Sequence, residues 1–374
     1  MSLAIDYCEL AVPGVRELQP YQPGKPIDEL QRELGLGQIV KLASNENPLG
    51  PSPLALQSLH KLDAELARYP DGNGFVLKQA LSKKLGVSPS QLTLGNGSND
   101  VLEIIARTFV QPGQQVIYSQ YAFAVYPIVT QAIGAKHGVV EAVNWGHDLG
   151  GMLKRIDANT RLVFIANPNN PTGTWQTRAA LVDFMDQVPP QVIVVLDEAY
   201  YEYASHPAMQ IADYPDGIEM LARYANLIVT RTFSKAYGLA GLRVGYAVAS
   251  KTLTNLLNRV RQPFNVNSYA LHAASAALDD HAHLEKSVQT NLAGMQQLSE
   301  RFKALGLAYI PSAGNFLSVD VARSAVPVYE ALLKRGVIVR PVANYAMPNH
   351  LRISIGTVLE NKTFMDALVD VLGR

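Results

Sequence analysis

Cysteine is almost missing from this sequence: Cys8 is the only one in 374 residues. One thiol forms neither an internal disulfide nor a thiolate metal cluster, the usage expected of a reducing compartment. Net charge is missing as well. The 32 Lys and Arg cancel the 32 Asp and Glu, so no overall field draws in nucleic acid or an anionic membrane surface. No apolar run approaches the length of a bilayer span, and the longest, such as VIVVL (192–196), suit strands. The opening MSLAIDYCEL has neither a basic stretch nor a long apolar one, so no secretory signal is expected and a cytoplasmic location is. Repeats and low-complexity tracts are absent. Charged residues make up only 17% against 48% hydrophobic, which leaves ample material for a core. The chain is too long for one small core, so a large domain plus a smaller one is expected.

The first 40 or so residues are rich in Pro and Gly (VPGVRELQPYQPGKP) and predict an extended arm with a short helix. From about Leu92 short apolar runs alternate with helical segments. The runs QLTLG, QVIYS, RLVFIAN, QVIVVLDE, NLIVTRT and RVGYAVAS read as strands. Several are apolar on consecutive residues, which suits strands buried on both faces of a mostly parallel sheet. In NDVLEIIARTFV the apolar residues recur at spacings of three and four, which predicts a helix. The alternation predicts an α/β domain with helices on both faces. After about Lys251 come long helical stretches. GNFLSVDV, GVIVRPV and HLRISIG then predict a small sheet, closed by the helix VLENKTFMDALVDVLG. The expected division is an arm over 1–45, a large domain over 46–275 and a small α+β domain over 276–374, with the boundary in a long helix near 265–290.

Four stretches carry chemistry. In LGNGSNDVLEII, Gly95 and Gly97 permit a tight turn, and Ser98 or Asn99 is placed to cap the helix that follows. A helix start offers free N–H groups and a positive dipole end, which together bind phosphate, although most such turns are only turns. No Gly-Lys-Ser/Thr follows, so it is not a nucleotide P-loop. IANPNNPTGT ends another strand in a stiff polar loop, where Asn167, Asn169 or Asn170 can aim an amide into a crevice. VIVVLDEAYYEY puts Asp197 after five apolar residues, a costly place for a carboxylate without a positive or hydrogen-bonding partner; Tyr200 lies within reach. In TRTFSKAYGLAGLRVGY, Lys235 is an amine in small apolar surroundings, beside Ser234 and Arg243. Such a lysine can lose its proton near neutrality and form a Schiff base, while Ser234 and Arg243 hold a phosphate. An amine for an aldehyde, a carboxylate for a ring nitrogen and donors for a phosphate together describe pyridoxal 5'-phosphate. Two further stretches are set aside. DDHAH (279–283) has metal-ligand residue types in a polar helical face, so no metal is expected, and GLAGLRVG does not fit the dinucleotide fingerprint.

The ordered set NENP, GNGSND, NPNNPTGT, LDEAY, RTFSKAYGLAGLRVGY and LRISIG resembles the class-II pyridoxal-phosphate aminotransferases of fold type I, and within them the histidinol-phosphate aminotransferase family. The resemblance runs from about residue 10 to the C-terminus. It implies a homodimer, a large domain around a mostly parallel seven-stranded sheet, and a small α+β domain to which both chain ends contribute. It implies that Lys235 carries the cofactor and shuttles a proton, and that Asp197 keeps the ring nitrogen protonated. Asn170 and Tyr200 would bond the ring oxygen, and Phe123 would stack on the ring. Gly97, Ser98, Asn99, Thr232, Ser234 and Arg243 would hold the phosphate, and Tyr69 would reach that of the neighbouring subunit. Arg352, Arg340, Tyr21 and Asn47 are the substrate-site residues it implies. Ala346 stands where the family usually has glycine. The activity implied is reversible amino transfer between L-histidinol phosphate and 2-oxoglutarate in histidine biosynthesis. An aromatic or broad-range aminotransferase, or a decarboxylase of a phosphorylated amino acid, would share the cofactor residues. A non-catalytic regulatory domain fits less well, because Lys235 and Asp197 are both present and no basic extension precedes the arm.

Overall fold

A computed structural model describes residues 6–21, 23–60, 62 and 67–374. Among them the strands are, in chain order, β1 (Val40–Lys41), β2 (Leu92–Gly95), β3 (Gln115–Ser119), β4 (Lys136–Val140), β5 (Thr160–Ala166), β6 (Ile193–Asp197), β7 (Leu227–Thr232), β8 (Gly245–Ala249), β9 (Tyr309–Ile310), β10 (Phe316–Asp320), β11 (Val337–Ile338), β12 (Arg340–Pro341) and β13 (His350–Ser354). Seven form one sheet in the order β2-β8-β7-β6-β5-β3-β4. All pairs from β4 to β7 are parallel, and β8 alone runs against its neighbours β2 and β7. The six runs read as strands all lie in this sheet. The seventh, β4 (KHGVV), is a strand beyond those six. It is an edge strand, with three of its five residues exposed, and lacks the continuous apolar signal of its neighbours.

The two-residue period of strands sorts side chains onto two faces. In β6, Val194 and Leu196 join one apolar cluster and Ile193 and Val195 the other; Val229 and Ile228 of β7 divide the same way. Helices Phe75–Leu85, Arg178–Gln187 and Ser268–Ala277 cover the first face through residues such as Leu77, Phe184 and Ala274. Helices Ser98–Phe109 and Val125–Ala132 cover the second with Val101, Ile105, Tyr126 and Val129. Asp197 continues the series of Ile193 and Val195, and Thr230 that of Ile228. Both therefore point to the second face, at or near the carboxyl ends of their strands.

A smaller antiparallel sheet has the order β12-β13-β10-β9, and β1 pairs in parallel with β11, Val40 opposite Val337. A third cluster joins Leu42 to Leu298, Phe302, Ile353 and Phe364, so a segment near the N-terminus shares a core with C-terminal elements. The long helix expected across 265–290 is two, Ser268–Ala277 and His281–Ala304. Asp280 caps the second, accepting from the His283 N–H (3.1 Å) and from the Ser52 hydroxyl (2.6 Å). The DDHAH stretch thus spends one of its acids starting a helix. Among its described residues the arm carries three short helices rather than one: Tyr7–Leu10, Pro13–Arg16 and Ile27–Leu34. No helix among the described residues is long and apolar enough to cross a membrane.

Candidate active site

A cavity of ≈ 180 Å³ opens where β5, β6 and β7 end, its wall including Ala166, Asp197 and Thr232. Crevices at the carboxyl ends of strands are where open α/β sheets bind ligands.

On one side lies the start of helix Ser98–Phe109. Its N-cap is Gly97 (φ 83°, ψ 166°), with no side-chain cap. The capping expected of Ser98 or Asn99 is not seen; both sit inside the first turn and line the cavity. Only glycine takes this backbone freely, and a Cβ at Gly97 would lie 2.4 Å from Arg243 Nη2. With no side-chain acceptor at the cap, the first-turn N–H groups and the positive dipole end are available to an anion. Arg243 Nη1 donates to Ala240 O (2.9 Å) and to Ser234 Oγ (3.4 Å), and Thr232 Oγ1 donates to Ser234 Oγ (3.1 Å). Arg243 holds this place in a left-handed backbone (φ 58°), a strain of the kind that collects at functional sites.

Asp197, 4% exposed, accepts from Thr230 Oγ1 at Oδ1 (3.0 Å) and from Tyr126 Oη at Oδ2 (2.8 Å). Burial pushes its carboxyl up; the two hydroxyl donors, the Ala199 N–H and the charge on Lys235 oppose the shift. Phe123 lines the same cavity and meets Tyr126 edge-on. Lys235 Nζ donates to Ser44 O (3.1 Å), and burial, followed by the charge on Arg352, pushes its pKa down to about 7. Near neutrality much of this amine is therefore unprotonated and nucleophilic. Tyr200 Oη accepts from Asn45 Nδ2 (2.9 Å), with the phenol pushed up to about 12 by burial.

Arg352 and Arg340, 6% and 8% exposed, face each other directly across β13 and β12. Neither guanidinium is a solvated surface charge. Arg352 Nη1 donates to Asn170 Oδ1 (2.6 Å) and Nη2 to Ala43 O (2.7 Å), while its buried Nε has no partner among the described residues. The Arg340 guanidinium lies 5.7 Å from the Tyr21 ring centre. Like charges opposite each other in a sheet repel, and the charge on Arg340 is among the causes that lower the Arg352 pKa, after burial.

Asn47 is a correction. Its Nδ2 donates to Ala236 O (2.9 Å) and Ser287 Oγ (2.8 Å), so the side chain braces the residue after Lys235 and does not line the cavity. Its neighbour Asn45 lines it instead. Three successive residues there, Ala43, Ser44 and Asn45, grip Arg352, Lys235 and Tyr200 in turn. The sequence hides this, since two of the three contacts use backbone carbonyls. Tyr126 carries no functional signal in the sequence, because an aromatic on an apolar helix face reads as core. Tyr69 is 83% exposed and stacked on Phe264, away from its own chain's cavity.

Ala346 ends the short turn Ala343–Tyr345 in a left-handed backbone (φ 59°, ψ 30°). An alanine there costs about 1–2 kcal/mol, partly offset by the extra freedom glycine has when unfolded. Ala346→Gly is expected to raise stability by roughly 0.5–1 kcal/mol, read as a higher urea midpoint at unchanged slope. A lower midpoint would contradict the strain.

The depressed amine, the buried carboxylate and the donors around Gly97, Ser234 and Arg243 fit the aldehyde, ring nitrogen and phosphate of pyridoxal phosphate. Comparison with known proteins agrees. The family model for aminotransferase class I and II matches residues 37–368. The chain is 60% identical over 371 residues to histidinol-phosphate aminotransferase 2 of Pseudomonas fluorescens, covering 99% of each chain. Its namesake in Pseudomonas aeruginosa is also 60% identical, again with 99% of each covered. Among solved structures, the histidinol-phosphate aminotransferase of Sinorhizobium meliloti in complex with pyridoxal-5'-phosphate superposes with a TM-score of 0.87 at 30% identity, with 97% of each chain covered.

Proposed function

The chain belongs to the class I and II aminotransferase family, and from that we propose that it exchanges an amino group between L-histidinol phosphate and 2-oxoglutarate, giving imidazole-acetol phosphate and L-glutamate, in histidine biosynthesis. The observation that carries the choice of substrate is the buried Arg340–Arg352 pair, which suits doubly anionic groups better than an aromatic side chain. Histidinol phosphate bears a phosphate and glutamate two carboxylates, so one basic pocket serves both halves of the exchange.

Bound pyridoxal phosphate supplies the aldehyde that captures the amino group and the ring that draws electrons from the neighbouring carbon. The chain does the rest. Lys235 would anchor the cofactor, and its neutral amine would take the proton from the substrate carbon that bears the nitrogen. Asp197 holds the ring nitrogen in its protonated form. Asn170 and Tyr200 bond the ring oxygen, and Phe123 covers the ring face. The N–H groups following Gly97, with Ser98, Asn99, Thr232, Ser234 and Arg243, hold the phosphate. Arg352, with Arg340 and Tyr21, holds the substrate's anionic groups.

We also read the protein as a cytoplasmic homodimer. Tyr69 and the other exposed apolar residues Phe75 (63%), Val76 (60%) and Leu56 (46%) support a partner surface on which Tyr69 reaches the other subunit's cofactor phosphate. Residues 276–374 are taken with the arm as the small domain, in keeping with the core that Leu42 shares with C-terminal residues.

The test is the visible absorbance of the bound cofactor, titrated separately with L-histidinol phosphate, L-glutamate and L-phenylalanine. Histidinol phosphate should bleach the band at far lower concentration than phenylalanine. If phenylalanine does as well, the protein is an aromatic aminotransferase with the same cofactor machinery.

A further inference from the structure

Asp197 serves a protonated ring nitrogen only while it is itself an anion, and its burial works against that. Two hydroxyls from two different elements meet it, one at each carboxylate oxygen. Tyr126 reaches Oδ2 from helix Val125–Ala132, and Thr230 reaches Oδ1 from β7. The Tyr126 ring is fully buried and stacked on Phe164 of β5, with ring centres 4.4 Å apart and planes 4° from parallel. The phenol oxygen therefore has little freedom to leave the carboxylate. A carboxylate gripped at both oxygens from separate elements is not free to rotate about its own bond, so its plane is fixed where Asp197 lines the cavity.

We propose that Tyr126 is a positioning residue for this reaction: its hydroxyl, donated to Asp197 Oδ2, fixes the carboxylate plane and keeps it ionised for the cofactor's ring nitrogen, with Thr230 matching it at Oδ1. This rests on the reading of Asp197 given above. The titratable groups facing Asp197 are Tyr126, Tyr200 on the loop that follows β6, and Lys235 on the loop that follows β7; the Ala199 N–H completes its donors. Burial and the nearby Asp197 charge push the Tyr126 phenol up, so it keeps its proton and donates. Removing that donor removes a stabiliser of the anion, so Asp197 protonates more readily. Cofactor binding should then fail at a higher pH than in the wild type.

Tyr126→Phe keeps the stacked ring and deletes only the hydroxyl. The measurement is the dissociation constant of pyridoxal phosphate, from dilution of the loaded protein at several pH values, with a thermal melt as the control for folding. Tyr126→Phe should weaken binding about tenfold at neutral pH and move its acid limb to higher pH, with Thr230→Val moving it the same way. An acid limb unmoved in Tyr126→Phe, with a normal melt, overturns the proposal. Asp197→Asn separates the layers. If it leaves affinity unchanged, the reading of Asp197 fails and the role of Tyr126 with it. If it weakens binding while Tyr126→Phe does not, only the role of Tyr126 falls.

Discussion

Lys235→Met should lower the rate of amino transfer by at least about 10⁴-fold if, as proposed, one side chain supplies both the covalent anchor and the general base. Methionine keeps the apolar length of the lysine, so the loss is chemical and the fold remains. The same variant should change how stability responds to pH. In the folded, cofactor-free protein Lys235 is held down at about 7, against 10.5 for an ordinary lysine. Between those values the unfolded chain binds a proton that the folded chain does not, and stability rises with pH wherever the unfolded state binds more protons. Below about 7 both states are charged and the burial penalty is present in full; above the ordinary lysine value both are neutral and it is gone. The wild type should therefore gain stability relative to Lys235→Met as pH climbs from about 7 towards 10, and should be the less stable of the two at neutrality. Urea unfolding of both proteins at three pH values in that window checks this. Parallel curves would mean that the amine is not depressed, and with it would go the explanation of its reactivity.

The stretch around Lys235 stands out in the sequence for a physical reason. Ordinary folding gives no reason to bury an amine, so Lys235 among small apolar residues marks chemistry, as Asp197 does after five residues of buried strand. The central strands β3, β5, β6 and β7 are apolar on consecutive residues because both faces are covered, and that pattern survives without any structure. The edge strand β4 lacks it, since three of its five residues are exposed. Contacts made by main chain are equally silent: nothing about Ala43 or Ser44 as residue types says that their carbonyls meet Arg352 and Lys235. Asn45 and Asn47 show the limit most sharply. They are the same residue type two positions apart in one motif, yet the left-handed backbone at Asn45 (φ 54°) accompanies a side chain in the cavity, while that of Asn47 braces the turn behind Lys235. Spacing alone cannot tell them apart.

The substrate end of the cavity makes the second large prediction. Arg352→Ala should reduce kcat/KM by about 10²-fold or more for every substrate, the loss typical of a buried, hydrogen-bonded charge whose partners are left unpaired. Two such partners, Asn170 Oδ1 and Ala43 O, lose their donor at once. Arg352→Lys should not restore the activity. A lysine ammonium is a point charge, whereas here the planar fork divides between two acceptors and leaves Nε for a third. Arg340→Ala should behave differently. Arg352 would still meet the first anionic group, so L-phenylalanine, with one carboxylate, should lose little. L-Histidinol phosphate and L-glutamate, which place more negative charge in the pocket, should lose much more. Steady-state kinetics on the three substrates with the three variants distinguishes these roles. A uniform loss across substrates in Arg340→Ala would mean that this arginine only supports Arg352 across the strand pair, and the case for a doubly anionic substrate would then rest on Arg352 alone.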